Sequence, residues 1–93
     1  MFQFQYSNQF LKDLKLLKKR SAKDLALLQD FLLLLQSDGV SGINKKYKPH
    51  KLSGQYKNDW EAHIKPDLLI IWFEVTEDNE IILLRTGSHS DLF

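Results

Sequence analysis

The chain has 93 residues, 43% of them apolar, a formal net charge of +1 and no cysteine. That size holds one hydrophobic core, so a single domain over residues 1–93 is expected, and the composition is not that of a disordered chain. Disulfide staples and thiolate metal sites are excluded, which fits a reducing cytoplasm, and the longest apolar runs are too short or too interrupted to span a bilayer.

The opening "MFQFQYSNQF" has neither the basic start nor the apolar centre of an export signal. Within it Phe2, Phe4 and Tyr6 alternate with glutamines, the period of a half-buried strand. From Ser7 the period changes: Phe10, Leu11, Leu14 and Leu17 recur at helical spacing, with Lys12, Lys15, Lys18 and Lys19 between them. Ser21 followed by Asp24 predicts an N-cap that opens a second helix. Leu25, Leu28, Phe31, Leu32 and Leu35 share one face of that helix, which closes near Asp38 and Gly39. Leu27, Leu33 and Leu34 widen the stripe, the pattern of a helix buried between layers. Two helices this close in sequence form an antiparallel hairpin.

Residues 39–57 are polar and punctuated by glycine, and are predicted to be a loop. "WEAHIK" then places Trp60, Ala62 and Ile64 on one strand face and Glu61, His63 and Lys65 on the other. Pro66 and Asp67 supply a turn, "LLIIWFEV" a nearly continuous apolar strand, "TEDN" another turn, and "EIILLRT" a last strand. Strands joined by such short turns are antiparallel neighbours. The predicted fold is α+β: an N-terminal strand, an α-helical hairpin and a three-stranded antiparallel meander, with the helices on one sheet face.

Charge is unevenly spread. Residues 1–58 carry a local +7 and residues 59–93 a local −6. No acid falls between Gly39 and Asn58, where Lys45, Lys46, Lys48, Lys51 and Lys57 all lie. Lysines on their own describe a solvated face. A polyanion partner becomes the better reading only if chemistry stands beside them.

The meander places such chemistry. The end of the last strand lies at the same sheet end as the Pro66 turn, so His63, Asp67, Arg85 and His89 are expected at one edge although they span up to 26 positions. The basic loop carrying His50 precedes the second strand and can fold across that edge. Histidine moves protons near neutral pH, and arginine offers a fixed fork of donors that matches phosphate. Two proton-transfer groups and a guanidinium are what cleavage of RNA by its own 2′-hydroxyl requires, with no metal or other cofactor. Taken singly, each residue has an ordinary explanation. His63 can be a satisfied surface histidine, Asp67 a turn residue, His50 solvated filler, Arg85 the partner of an acidic neighbour and Phe93 a core plug. The joint pattern is what favours function.

Three motifs carry a family resemblance: His50-Lys51-Leu52-Ser53-Gly54, His63-Ile64-Lys65-Pro66-Asp67 and Arg85-Thr86-Gly87-Ser88-His89. In this order and spacing they resemble the YafQ branch of the RelE/ParE superfamily of type II toxins, and the resemblance covers the whole chain. It implies an endoribonuclease that cuts messenger RNA in the ribosomal A site, works in the cytoplasm and is silenced by a partner antitoxin. Carried over, His50, His63, Asp67, Arg85, His89 and Phe93 match the family's functional set. His89 would be the general acid and Arg85 the phosphate ligand, with His50, or Asp67 working with His63, as the base. Lys45, Lys46, Lys48 and Lys51 would meet phosphates of the messenger or of 16S ribosomal RNA. One departure is visible: the family often has an aromatic residue after Pro-Asp, and here it is Leu68, while Trp72 is expected in the core.

Three other readings compete. A ParE-like toxin inhibiting DNA gyrase would keep the fold, but it has no need of proton-transfer groups. A metal site on His50, His63, His89 and Asp67 would have Arg85 repelling its cation and lacks a paired-ligand motif. A binding module without activity would need only the lysines.

Overall fold

The computed structural model describes residues 1–54 and 58–93; residues 55–57, the end of the predicted basic loop and with it Lys57, lie outside them. The chain runs β1 (Gln3–Tyr6), α1 (Asn8–Arg20), α2 (Ala22–Asp38), β2 (His50–Lys51), β3 (Trp60–Lys65), β4 (Leu68–Val75), β5 (Glu80–Gly87) and α3 (His89–Leu92). The strands form one sheet in the order β1-β5-β4-β3-β2. The predicted meander is antiparallel throughout, and β1 adds in parallel along β5, with Gln3 opposite Glu80 and Tyr6 opposite Leu83.

The helical hairpin begins and bends at two serines. Ser7 caps α1 by accepting from the Phe10 N–H at 3.0 Å. Ser21 is extended, ends α1 and caps α2 by accepting from the Asp24 N–H at 3.1 Å. The end of α2 is tied to the sheet through Glu74 on β4, whose carboxylate accepts from the Val40 N–H at 2.9 Å and the Trp72 indole at 3.0 Å. Gly39 is required here: its φ is +65°, and an added Cβ would stand 2.8 Å from that same carboxylate.

One face of the hairpin packs on one face of the sheet. Phe10, Leu17, Leu28, Phe31 and Leu35 meet Ala62, Leu68, Ile70, Trp72, Ile81 and Leu83 in the main core. Trp72 and Leu68 are both buried there, so neither presents a ring or a side chain to a ligand. Each large side chain so buried contributes about 1.5–3 kcal/mol. The opposite sheet face carries a smaller cluster of Leu69, Ile71 and Leu92, and it is here that α3 docks.

Part of the predicted loop and the residues after β5 form regular structure. Residues 39–51 contain two 3-10 turns (Gly39–Gly42 and Lys45–Tyr47) and β2, which makes the sheet five-stranded where four strands were expected. A two-residue strand has no period to read; its antiparallel pairing with β3, His50 opposite Glu61, is what defines it. The C-terminal residues form α3 and are not a frayed end. Ser88 accepts from the Asp91 N–H, and Asp91 accepts in return from the Ser88 N–H, a reciprocal capping box. Gly87, at φ +149°, makes the turn into α3, and a Cβ there would stand 2.8 Å from the Asp91 carboxylate.

Asp91 also receives Arg20 from α1, at 2.7 Å. The Arg20 bond first, and the Ser88 N–H next, push the Asp91 carboxyl down to about 2. A folded-state pKa below the unfolded one adds stability that is present above about pH 4 and is lost as the pH falls through the lower value. The docking of α3 is therefore expected to hold at pH 5 and to loosen between about pH 4 and 2, read as loss of hydrogen-exchange protection at the Ser88 and Phe93 amides.

Candidate active site

Two one-residue bulges set the site. In β3, His63 pairs with Leu69 and Lys65 with Leu68, so Ile64 is the extra residue. In β5, Leu83 pairs with Trp72 but Arg85 pairs with Ile71, so Leu84 is extra. The second bulge takes Arg85 out of the Ile81–Leu83 alternation that faces the main core. Residues directly opposite in a sheet share a face. Glu61, opposite Ile71, and His63, opposite Leu69, thus lie on the face where α3 docks, and His50, opposite Glu61, joins them.

The three histidines form a row. The rings of His50 and His63 stack with centroids 6.2 Å apart, and His63 and His89 follow at 5.7 Å. Each has a fixed neighbour. Asp67 in the β3–β4 turn accepts from the backbone N–H of His89 at 3.0 Å and meets its Nδ1 at 2.9 Å. The backbone N–H first, and the ring next, hold the Asp67 carboxyl below its usual range. An ionised carboxylate only accepts, so Nδ1 of His89 carries the proton and Nε2 is left for a substrate. At the other end, Nδ1 of His50 donates to the Lys48 carbonyl at 2.7 Å. Between them lies Glu61, with Oε1 3.2 Å from Nε2 of His50 and 3.5 Å from Nε2 of His63.

Asp67 is thus engaged by His89, and its expected partnership with His63 is taken by Glu61. The local reason is α3: the helix starts at His89 directly beside the Pro66-Asp67 turn, and its first N–H draws the carboxylate. The β3 alternation had already put Glu61 on the face of His63. Asp13 had no such sequence signal.

Arg85 is anchored from α1. Its Nε meets Asp13 Oδ2 at 2.8 Å and its Nη2 meets Asp13 Oδ1 at 3.3 Å, while Nη2 also reaches the Asp91 carbonyl of α3 at 3.4 Å. Asp13 Oδ2 accepts from the Thr86 N–H as well, at 3.1 Å. Phe93 closes α3 by donating its N–H to the His89 carbonyl and is 64% exposed as a residue.

Lys45, Lys46, Lys48 and Lys51 are all exposed. Lys48 takes a left-handed conformation at φ +51°, which ends the Lys45–Tyr47 turn. An open cleft of about 680 Å³ runs between the Lys46–Lys48 segment and His63, Lys65 and Pro66, and so joins part of the basic stretch to the histidine row. Among the described residues, no three His, Asp or Glu side chains stand in position to hold a metal ion.

Known proteins of the same fold identify the family. Residues 2–93 match the family described as "Bacterial toxin of type II toxin-antitoxin system, YafQ". The mRNA interferase toxin YafQ of Escherichia coli K12 is 37% identical over 89 residues, which is 96% of this chain and 92% of the relative. In the crystal structure of the E. coli DinJ-YafQ complex, the matching chain is 34% identical with a TM-score of 0.85, covering 100% of this chain and 99% of that one. A metal-bound toxin from Helicobacter pylori is 40% identical, also with a TM-score of 0.85, over the full length of both chains. No three His, Asp or Glu side chains among the described residues fit such an ion. On the family match across nearly its whole length, this chain belongs to the YafQ family of bacterial toxins of type II toxin–antitoxin systems.

Proposed function

We propose that this toxin is an mRNA interferase, an endoribonuclease that cuts messenger RNA in the ribosomal A site. The carrying observation is the row of three imidazoles with the Asp67–His89 pair, 2.9 Å apart, at its open end. In the reaction the 2′-oxygen attacks the adjacent phosphorus, the bond to the 5′-oxygen breaks, and a 2′,3′-cyclic phosphate and a 5′-hydroxyl result. The His50–His63 cluster takes the 2′-hydroxyl proton, and Nε2 of His89 delivers one to the leaving oxygen. Arg85, held in place by Asp13, faces the charge that builds on the phosphate. Each of these roles uses a side chain of the protein, and none calls for a metal ion.

The exposed lysines supply the backbone contacts, Lys46 and Lys48 beside the cleft at His63 and Lys45 and Lys51 further out. Phe93 offers an exposed ring for stacking on a base. The E. coli relative is known in complex with DinJ, and a cognate antitoxin is the expected partner here, along with messenger and ribosome. The cytoplasm is where these partners meet.

Induced expression without an antitoxin tests the reading. Wild type is expected to arrest growth and to create new 5′ ends inside coding regions, mapped by primer extension. Arg85→Ala is expected to lose at least about 100-fold in cutting. Growth arrest by a folded Arg85→Ala variant, with no new 5′ ends from either protein, would remove the nuclease assignment.

A further inference from the structure

Glu61 is 6% exposed, and one of its oxygens faces two imidazole nitrogens. A carboxylate so placed is costly unless a proton or a cation accompanies it. The hydrogen bonds around it say where that proton goes. The Lys48 carbonyl can only accept, so Nδ1 of His50 is a donor. In a neutral His50 ring, Nε2 would then turn a lone pair toward Glu61 Oε1 at 3.2 Å, and two acceptors would repel. The contact is favourable only with a proton between them.

His63 approaches the same oxygen at 3.5 Å, also through Nε2. A proton on that nitrogen points to Glu61, and the lone pair of the neutral ring then sits on Nδ1. Among the described residues, the β4 residues opposite the pair are Ile71 and Leu69, and the next ring in the row is His89, whose own partner is Asp67.

We infer that Glu61 is a positioning residue for the reaction, holding His50 as a donor through both ring nitrogens and fixing His63 with Nε2 protonated, so that Nδ1 of His63 is the base. This rests on the nuclease reading above, and it names the base within the cluster. The balance closes: the 2′-hydroxyl proton passes to Nδ1 of His63 as the O2′–P bond forms. The P–O5′ bond breaks and its oxygen takes a proton from Nε2 of His89. His63 ends with one proton more and His89 with one fewer, and exchange with water restores both. His50, carrying protons on both nitrogens, serves the phosphate as a cation.

The test uses the full chain as wild type, Glu61→Gln and Glu61→Asp. Two-bond ¹H–¹⁵N correlations of the histidine rings, without RNA, report which nitrogens carry protons. In wild type they are expected to show both nitrogens of His50 protonated and His63 as the Nε2–H form. In Glu61→Gln, His50 is expected to revert to the Nδ1–H form and His63 to populate both forms. Single-turnover cleavage of messenger on programmed ribosomes, from pH 5 to 9, is expected to fall about 100-fold in Glu61→Gln with an altered pH profile. Glu61→Asp, which keeps the charge, is expected to recover to within roughly tenfold of wild type. Melting curves confirm that each variant is folded. Unchanged ring protonation, or wild-type cleavage with an unchanged pH profile in Glu61→Gln, would overturn the role of Glu61. Failure of the wild type itself to cleave would overturn the nuclease reading and leave the ring-protonation result to stand or fall separately.

Discussion

Glutamine in place of His89 is expected to slow messenger cleavage by about 10³-fold, the range lost with one general acid, while leaving RNA affinity close to wild type. His89 is half exposed and makes its backbone contact to Asp67 through an N–H that any residue supplies, so the melting temperature should hardly move. Asp67→Asn tests the same unit from the other side. The amide preserves size but loses the charge that fixes the His89 tautomer, and a loss of roughly 10–100-fold is expected because this pair is open to water. The pH dependence has a definite sign. Asp67 is held below its usual range by His89, so its hold on the ring is present above about pH 3.9 and is lost as the pH falls through the lower folded-state value. Any loss of cleavage between pH 5 and 7 therefore does not come from Asp67. The amide signal of His89, followed from pH 6 to 2, should shift with a midpoint below about 3.9. Equal cleavage by wild type and His89→Gln would remove His89 from the reaction.

What could be read from the sequence was whatever repeats at short range. Alternation exposed β1 and β3, helical spacing exposed α1 and α2, and β4 showed as a nearly continuous apolar run between two turns, because each of these elements is long enough to carry its pattern. The Ser21 cap was legible because its partner is three residues away. β2 was not, since two residues carry no period and only the pairing with Trp60 and Glu61 makes them a strand. α3 is four residues long, and "GSHSDLF" reads as a turn and a tail, although Ser88 followed by Asp91 has the spacing of a capping box. The meander put His63, Asp67, Arg85 and His89 at one end of the sheet, and Glu61 on the face of His63. It could not show the bulge at Leu84. Without that bulge, simple alternation would continue Ile81 and Leu83 into Arg85 and send a guanidinium toward the main core. Nor could it show Asp13, which sits between Lys12 and Leu14 in a lysine-rich helix and whose partner lies 72 positions on.

Asp13 is where stability and function can be separated. Its side chain is 7% exposed and that of Arg85 21%, and they meet through two contacts. Asp13→Ala removes the carboxylate that holds the partly buried guanidinium and leaves the Thr86 N–H without its acceptor. A loss of about 3 kcal/mol is expected, the low end for breaking a buried pair, because Arg85 still touches water. At roughly 4–8 °C per kcal/mol for a domain of this size, the melting temperature should fall by more than 10 °C. Replacing both partners with apolar residues of similar volume, Asp13→Leu with Arg85→Met, removes both charges together and should return most of that loss. A pair kept only for stability would then be dispensable, and the double variant would cleave. If Arg85 serves the phosphate, the double variant should be stable and inactive, at least about 100-fold below wild type in single-turnover cleavage. Asp13→Asn gives the intermediate case: an acceptor remains for the Thr86 N–H, so stability should fall by about half as much, while Arg85 keeps its charge but loses the carboxylate that fixes its position. Stable and inactive for the double variant, and unstable yet partly active for Asp13→Asn, is the combination that assigns Asp13 to holding Arg85 and Arg85 to the reaction.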